Sequence, residues 1–220
     1  MHRRAVAELV GTAFLVMAVV GSGIAATRLT ADVGLQLLAN SVVTGAALVA
    51  LILALQPVSA SFNPVVTLVE RALRVIDSRT AAWLVGAQVV GGVLGTMLAN
   101  LMFDLDAVTL STRERSGSGS WLAEVVATMG LVLVVFGSLR GGGRTVAFAV
   151  GGYITAAYWF TSSTSFANPA VTVARTLTDT FAGIAPSSAP AFVLMQLVGG
   201  ALALGLIVFL FGRQHVEVTP

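Results

Sequence analysis

The sequence predicts an all-α membrane protein with six transmembrane helices and two re-entrant half-helices, arranged as an inverted repeat. Three observations support this fold class: an apolar composition, six apolar segments of spanning length, and two matching Asn-Pro segments. Hydrophobic residues make up 56% of the 220 residues and charged residues only 10%. Soluble domains carry about 25% charged residues, so this chain has too little polar surface for a soluble protein.

The apolar segments recur along the whole chain. With about 20 apolar residues needed for each helical crossing, we expect spans at residues 4–26, 34–56, 81–103, 121–139, 145–161 and 189–211. The polar connections are short, so the sequence predicts a single domain. The longest connection, residues 104–120, is rich in Ser and Gly and joins two halves, 1–103 and 121–220.

Arginine placement predicts the orientation of the spans. Six spans put both termini on one side of the membrane, and cytoplasmic loops carry an excess of Lys and Arg. Eight of the twelve basic residues fall on the side of the termini. We therefore expect a multi-pass protein of the cell membrane with both termini cytoplasmic. The eight are Arg3, Arg4, Arg71, Arg74, Arg79, Arg140, Arg144 and Arg213, and the other four are Arg28, Arg113, Arg115 and Arg175.

The two halves contain three matching stretches in the same order. Residues 7–10 (AELV) match 123–126 (AEVV), residues 61–67 (SFNPVVT) match 165–172 (SFANPAVT), and residues 88–92 (QVVGG) match 196–200 (QLVGG). Each half has three spans, an odd number, so the second copy must lie upside down relative to the first. The sequence therefore predicts an inverted repeat of the kind found in many membrane transport proteins.

The two Asn-Pro segments, residues 59–74 and 163–178, are too short and too polar to cross the membrane. Asn is a preferred N-cap residue and Pro is favoured at the first helical position, so each Asn-Pro predicts a helix start. A helix of about ten residues covers about half of the hydrocarbon core. Inverted symmetry then brings both helix starts to the membrane centre. We expect a midplane site there, formed by Asn63, Pro64, Val65, Asn168, Pro169 and Ala170.

These helix starts predict a path for uncharged solutes. Irregular backbone at membrane depth is tolerated only where it is buried in protein or lines water. Each helix start carries about half a positive charge, so two facing starts repel cations. The side-chain oxygens of Asn63 and Asn168 cap their own helices, and we expect their amide NH2 groups to donate to molecules in the path. A water bound to both donors points its hydrogens away, which interrupts proton transfer.

Other chemistry has little support in the sequence. The chain has no cysteine, His2 and His215 lie near the termini, and neither a metal site nor a cofactor is expected. The scattered arginines do not form a nucleic-acid-binding patch. No arrangement of a nucleophile, a base or metal ligands predicts an enzyme. The expected partners are the lipid bilayer and small neutral solutes.

The two Asn-Pro motifs within a six-span inverted repeat resemble those of the major intrinsic protein family, the aquaporins and glycerol facilitators. The resemblance covers essentially the whole chain. The family signature is a pair of Asn-Pro-Ala boxes, and this chain departs from it with Asn63-Pro64-Val65 in the first box. Two extra methyl groups there are expected to trim or reshape the pore. The resemblance also implies a homotetramer in which each protomer has its own pore.

The resemblance implies a second constriction, the selectivity filter, on the outer side of the pore. The matching positions are Thr44 in span two, Ala156 in span five, with Ala157 and Tyr158 as alternatives, and Ser165 in the loop before the second box. The family's filter arginine is replaced by Val171, and Arg175 lies one turn further along the same helix face. Arg175 either reaches back into the filter or contacts lipid headgroups. Without a His and with Val171, the sequence predicts a wider and more apolar ring than in a water-selective channel.

Four polar residues within the spans are expected to brace the two Asn-Pro segments. Glu8 and Glu124 occupy matching positions in the first span of each half, and Gln88 and Gln196 occupy matching positions in the last. An ionisable residue at membrane depth is a candidate for function. The resemblance instead implies that the carboxylates accept hydrogen bonds from loop backbone N–H groups.

The sequence leaves several functions open. The leading one is a passive channel for water, glycerol-like polyols and other small neutral solutes. The second box, residues 167–175, resembles that of bacterial members associated with arsenite, As(OH)3, so arsenite is included among the expected solutes. The alternatives are a water-selective channel, an alternating-access transporter, which also uses inverted repeats and broken helices, and a structural membrane protein that conducts poorly. The transporter is disfavoured because no acidic residue is expected at the midplane to couple ions.

Overall fold

The computed structural model describes residues 1–141, 143 and 145–212, and the described part is all-α. Arg144, Arg213 and His215, which entered the sequence predictions, lie outside the described residues. The described residues form six long helices and two short ones. They are α1 (His2–Leu29), α2 (Val33–Leu55), α3 (Pro64–Ala72), α4 (Ser78–Met102), α5 (Ser118–Arg140), α6 (Val146–Phe160), α7 (Pro169–Ala174) and α8 (Ala189–Phe211), with a 3₁₀ turn at Arg175–Leu177.

The predicted fold class is confirmed: six apolar helices and two short helices that begin at the Asn-Pro motifs. Five helices, α1, α2, α4, α5 and α8, are long and apolar enough to cross a membrane. The sixth, α6, is apolar but has only 15 residues. The helices α1, α2, α4 and α5 begin one to three residues before the predicted apolar segments, because polar residues at their starts continue the helix or cap it. Asp32, for example, accepts a hydrogen bond from the Leu35 backbone N–H at the start of α2.

A close helix pair holds each half of the chain together. The helix α1 packs along α4, and α5 packs along α8. Glycines permit this approach: a Cβ at Gly91 would lie 2.2 Å from the Leu9 carbonyl oxygen, and a Cβ at Gly199 would lie 2.5 Å from the Val125 carbonyl oxygen. Small residues at helix interfaces are the usual means of tight packing in membranes, where apolar side chains gain little from leaving lipid.

The short helices α3 and α7 begin inside the protein rather than at its surface. Asn63 and Asn168, which precede them, are both buried. The helix α3 packs against α4 of its own half and α8 of the other half, and α7 packs against α8 of its own half and α4 of the other half. Each short helix therefore starts among the long helices and runs outward from the centre of the bundle.

The linker folds back onto the second half. It has no helix between α4 and α5, and its backbone runs along the segment after α7. The Thr109 N–H donates to the Leu177 carbonyl at 3.1 Å, and the Ala185 N–H donates to the Arg113 carbonyl at 2.7 Å. This pairing places the linker arginines beside the C-terminal end of α7.

Candidate functional site

A cavity of about 470 Å³ lies among the helices and between the two Asn-Pro loops. One end, the N-terminal mouth, is bounded by Arg4, Gln56, Glu70 and Ile76. The other end, the linker mouth, is bounded by Thr44, Tyr158, Phe166 and Arg175. Both Asn63 and Asn168 line the cavity between these ends.

One wall of the cavity is built from apolar stripes with a spacing of four residues. Side chains four apart lie on the same face of a helix, so each helix presents one stripe. The stripes are Leu48 and Ile52 on α2, Leu131, Val135 and Leu139 on α5, and Val146, Val150 and Ile154 on α6, and the polar residues Thr44, Gln56 and Tyr158 lie only at their ends. Between the two mouths, water or a solute in the cavity therefore finds almost no hydrogen-bonding partner on this side.

The opposite wall is formed by the loops before α3 and α7. Ser59, Ala60 and Ser61 line the cavity, and their carbonyl oxygens accept no hydrogen bond from the residues that the structure describes. Buried carbonyls are almost always paired. A file of water or hydroxyl groups in the cavity would supply the missing donors, so this wall is suited to guiding a polar neutral molecule.

Glu8 lies behind the first loop and fixes its shape. Its Oε1 accepts from the Ser59 hydroxyl at 2.6 Å and the Ser61 N–H at 2.8 Å, and its Oε2 accepts from the Phe62 N–H and Gln88 Nε2, both at 2.7 Å. The backbone needs this support because Phe62 has a φ of 46°, which is unfavourable for a bulky side chain. Glu8 thus makes the contacts that a bracing role requires.

Glu124 makes the equivalent contacts behind the second loop. It accepts from the Phe166 N–H and the Ala167 N–H, both at 2.9 Å, and from Gln196 Nε2 at 2.6 Å. Gln196 also donates to the Thr172 hydroxyl on α7 at 2.8 Å. Ala167 has a φ of 48°. Both carboxylates are fully buried and engaged by donors, so neither is exposed to the cavity as a free acid or base.

The two Asn side chains join the helix starts to each other. The Asn63 Nδ2 donates to the Ala167 carbonyl, and the Asn168 Nδ2 donates to the Phe62 carbonyl, both at 2.7 Å. Each Asn carbonyl oxygen caps its own helix. The expectation that both N–H groups of each amide donate into the path is thus wrong: one crosses to the opposite loop, and the other has no acceptor among the described residues and remains for a molecule in the cavity.

The rest of the predicted midplane set does not line the cavity. Pro64, Val65, Pro169 and Ala170 are buried against helices instead. Val65 is 2% exposed, and a Cβ at Gly200 would lie 2.3 Å from its Cγ1. The expectation that Val65 reshapes the pore is therefore wrong. Its extra methyl groups fill the space left by a glycine on α8.

The linker mouth contains four of the five predicted filter residues. Thr44, Ser165, Val171 and Arg175 all line the cavity, whereas Ala156 is exposed on the outer face of α6. The Ala156 prediction is wrong because α6 turns Tyr158 inward. The Tyr158 and Thr44 hydroxyl groups lie 3.1 Å apart. A phenol ring stands where a small side chain was expected, so the constriction at this mouth is narrower and more polar than expected.

Arg175 reaches the cavity rather than the lipid. Its side chain is buried, its Nε donates to the Ala182 carbonyl, and its guanidinium carbon lies 3.5 Å from the centroid of the Phe166 ring. A guanidinium stacked on an aromatic face is attracted by the ring quadrupole. The position three residues after Asn168 is apolar, as the sequence indicates, yet a guanidinium still lies at this mouth.

Sequence reasoning missed two residues at the mouths as part of the site, Phe166 and Glu70, and offered Tyr158 only as an alternative to Ala156. The four-residue spacing of Val146, Val150 and Ile154 would have favoured Tyr158. Phe166, which holds Arg175, carries no signal of its own. Glu70 lines the N-terminal mouth and accepts from the Ser61 hydroxyl at 3.0 Å, a contact that only the folded loop creates.

Comparisons with known proteins agree with this geometry. A sequence model of the family described as Major intrinsic protein matches residues 1–144. The chain is 51% identical over 208 residues to the aquaglyceroporin AqpS of Rhizobium meliloti (strain 1021), covering 94% of this chain and 89% of that protein. The fold is similar to the X-ray structure of the aquaglyceroporin from Plasmodium falciparum, with a TM-score of 0.73, 18% identity, and coverage of 94% and 95% of the two chains.

Proposed function

Because this chain belongs to the major intrinsic protein family, we propose that its cavity is the path of a passive membrane channel for water and glycerol-like solutes. The observation that carries the proposal is the pair of buried Asn residues. They line a cavity that extends from Arg4 to Arg175 and bind each other's loops. The sequence and the fold support a channel rather than an enzyme.

The two walls explain how a neutral molecule would pass. Carbonyl oxygens on the loop wall accept hydrogen bonds, one remaining N–H on each Asn donates, and the apolar wall offers nothing to hold the solute. Such binding is favourable enough for entry and weak enough for exit, as conduction requires. The positive ends of α3 and α7 face the midplane and disfavour cations, including hydronium.

The linker mouth supports passage of solutes larger than water. Val171 gives it an apolar side, while Tyr158, Thr44 and Arg175 give it hydroxyl and guanidinium groups. Glycerol and As(OH)3 have hydroxyl groups directed to more than one side, so they can bond to the polar groups while contacting Val171. The relative AqpS is named an aquaglyceroporin, which fits this reading. A water-selective pore is the alternative that a flux ratio would reveal.

Three further features belong to the proposal. We propose that residues 1–103 and 121–220 are inverted repeats, which the equivalent contacts of Glu8 and Glu124 support. We propose a cell-membrane location with cytoplasmic termini, so that the linker mouth faces outward. We also propose a homotetramer built through α1, α2, α5 and α6, whose outer faces carry exposed apolar residues such as Phe14 and Phe148. Cross-linking in mild detergent tests the assembly.

The experiment is a shrinkage assay with purified protein in liposomes. Vesicles are mixed with sorbitol, glycerol or arsenite, and light scattering follows water exit and solute entry. A glycerol channel gives rapid shrinkage followed by re-swelling with glycerol and only shrinkage with sorbitol. Shrinkage without re-swelling would identify a water-selective pore. Saturating flux with counterflow would identify a transporter, and rates equal to empty vesicles would contradict any channel.

A matched variant tests the midplane. Asn168→Asp is nearly isosteric and keeps the capping oxygen, but it removes the NH2 that bonds to the Phe62 carbonyl and adds a charge. We expect at least a tenfold loss of glycerol and water flux. Asp179→Asn makes the reverse exchange at an exposed site bonded to Thr112, so it should leave both fluxes unchanged.

A further inference from the structure

The linker mouth concentrates positive charge without a paired acid. Arg113, Arg115 and Arg175 converge on three successive residues, with hydrogen bonds to the carbonyls of Phe181, Ala182 and Gly183. All the acceptors that these guanidinium groups use are backbone carbonyl oxygens. Their positive charges are therefore not neutralised by direct partners in the part of the chain that the structure describes.

Two of the arginines share one aromatic ring. The guanidinium carbons of Arg175 and Arg115 lie 3.5 Å and 5.1 Å from the centroid of Phe166. Phe166 is itself held by an edge-to-face contact with Phe192 at 5.2 Å. Burial and the neighbouring charges of Arg175 and Arg113 lower the pKa of Arg115 to about 9. Arg115 still carries its charge at neutral pH, so two like charges are held close together there.

The nearby acids are engaged elsewhere. Glu124 accepts from the loop N–H groups and from Gln196. Asp179 accepts from the Thr112 backbone and hydroxyl groups, and Glu114 is exposed. Tyr158 contributes a phenol hydroxyl that lies 3.1 Å from the Thr44 hydroxyl. The positive cluster therefore has no counter-charge at contact distance among these groups.

The donors of Arg175 are directed to the cavity. This buried residue lines the cavity, and among the described residues only its Nε has an acceptor, the Ala182 carbonyl. Both terminal NH2 groups keep their N–H donors without a protein acceptor. A planar guanidinium presents such donors as a fork that matches a carboxylate, and the Phe166 ring covers one face so that ligands approach the edge.

We infer that the linker mouth binds a small monovalent anion, of the size of a one- or two-carbon carboxylate, against the terminal NH2 groups of Arg175. Arg115, which also contacts the Phe166 ring, adds attraction. The occupant must be small because Thr44, Tyr158 and Val171 close around the same position. A bound anion would occupy the solute path, so it should compete with glycerol. This consequence for flux rests on the proposed function, whereas the binding itself does not.

The test measures binding and flux separately, with formate as the probe. Calorimetric titration of the detergent-solubilised protein uses sodium HEPES, a bulky sulfonate, to keep the ionic strength constant. We expect saturable formate binding in the millimolar range, weakened about tenfold in Arg115→Gln because one nearby charge is lost. Arg175→Gln should abolish it. Arg175→Lys keeps the charge but not the planar fork, so it should weaken formate binding without abolishing it. Partial binding by this variant would show that the loss in Arg175→Gln is not caused by misfolding.

Arg28→Gln is the matched control. Arg28 also bonds to a carbonyl and stacks on an aromatic ring, both of Phe103, at 5.2 Å from the ring centroid, but it does not line the cavity. Its formate binding should equal that of the unaltered protein. Equal affinity in the Arg175 and Arg28 variants, or no saturable heat in the unaltered protein, would overturn the anion site.

The flux assay distinguishes the two proposals. Vesicles hold equal formate inside and outside, so formate adds no osmotic gradient. Glycerol flux that falls with formate, and falls less in Arg115→Gln, supports the anion site within the path. Normal glycerol flux with no formate binding would contradict the anion site and leave the channel intact. Formate binding without flux above empty vesicles would support the site and contradict the channel.

Discussion

The substitution Val65→Ala separates a packing role from a pore role for the first Asn-Pro box. Val65 is buried beside Val69, Val132, Ala203 and Ile207 and does not line the cavity. Removing two buried methyl groups costs about 1–2 kcal/mol, from roughly 0.8 kcal/mol for each buried carbon. We therefore expect lower stability and an unchanged ratio of glycerol to water flux.

The residue that Val65 contacts on α8 is Gly200. A Cβ at Gly200 would lie 2.3 Å from Val65 Cγ1, so Gly200→Ala overpacks the interface by about 1–3 kcal/mol. In Val65→Ala with Gly200→Ala, the added methyl enters the space that the Val side chain leaves. The double variant should be more stable than the sum of the two single losses predicts, by about 1–2 kcal/mol.

The assay is thermal unfolding in mild detergent, followed by tryptophan fluorescence, together with the shrinkage assay. A loss of 1 kcal/mol lowers the midpoint by about 2–4 °C in a chain of this size. Strictly additive midpoint shifts would show that the two residues are not in contact. A changed glycerol-to-water ratio in Val65→Ala with no shift of the midpoint would show that Val65 lines the pore after all.

Three further predictions concern the mouth and the loops. Tyr158→Ala removes the ring that narrows the linker mouth and should raise glycerol flux several-fold relative to water flux in the shrinkage assay; an unchanged ratio would contradict this role. Val171→Arg should lower glycerol flux more than water flux by adding a second guanidinium one turn from Arg175, and Arg175→Ala in the same chain should restore it; failure of this rescue would show that Arg175 lies outside the filter. Glu124→Gln replaces a carboxylate that accepts two loop N–H groups and should cost about 2–3 kcal/mol, seen as a lower unfolding midpoint, whereas Glu114→Gln at an exposed position should not; equal midpoints would contradict bracing.

The membrane fold could be predicted because its signals are local. Each span is an apolar segment long enough to cross, and each short helix begins at an Asn-Pro pair that supplies both a cap and a fixed φ. The inverted arrangement followed from the parity of the spans. None of these steps required knowledge of which side chains meet.

The span-five filter position was predicted less well because the sequence alone did not fix which face of α6 turns inward. Ala156 was the first choice, with Ala157 and Tyr158 as alternatives, and Tyr158 is the one that lines the cavity. The four-residue spacing along α6 is a better guide, since it depends on the helix alone. The contact of Arg115 with Phe166 could not be predicted, because it depends on a linker that folds back over fifty residues.

The arrangement of supports explains where this pore can vary. Each loop is held from behind by a buried carboxylate and from the front by the Asn of the opposite loop. A change in either loop would leave a buried charge or amide without its partner, which costs more than the contact itself contributes. The mouths have no such constraint: Tyr158 and Arg175 each make one side-chain hydrogen bond in the described part of the chain. Solute preference can therefore change at the mouths while the midplane, and the exclusion of cations there, stays the same.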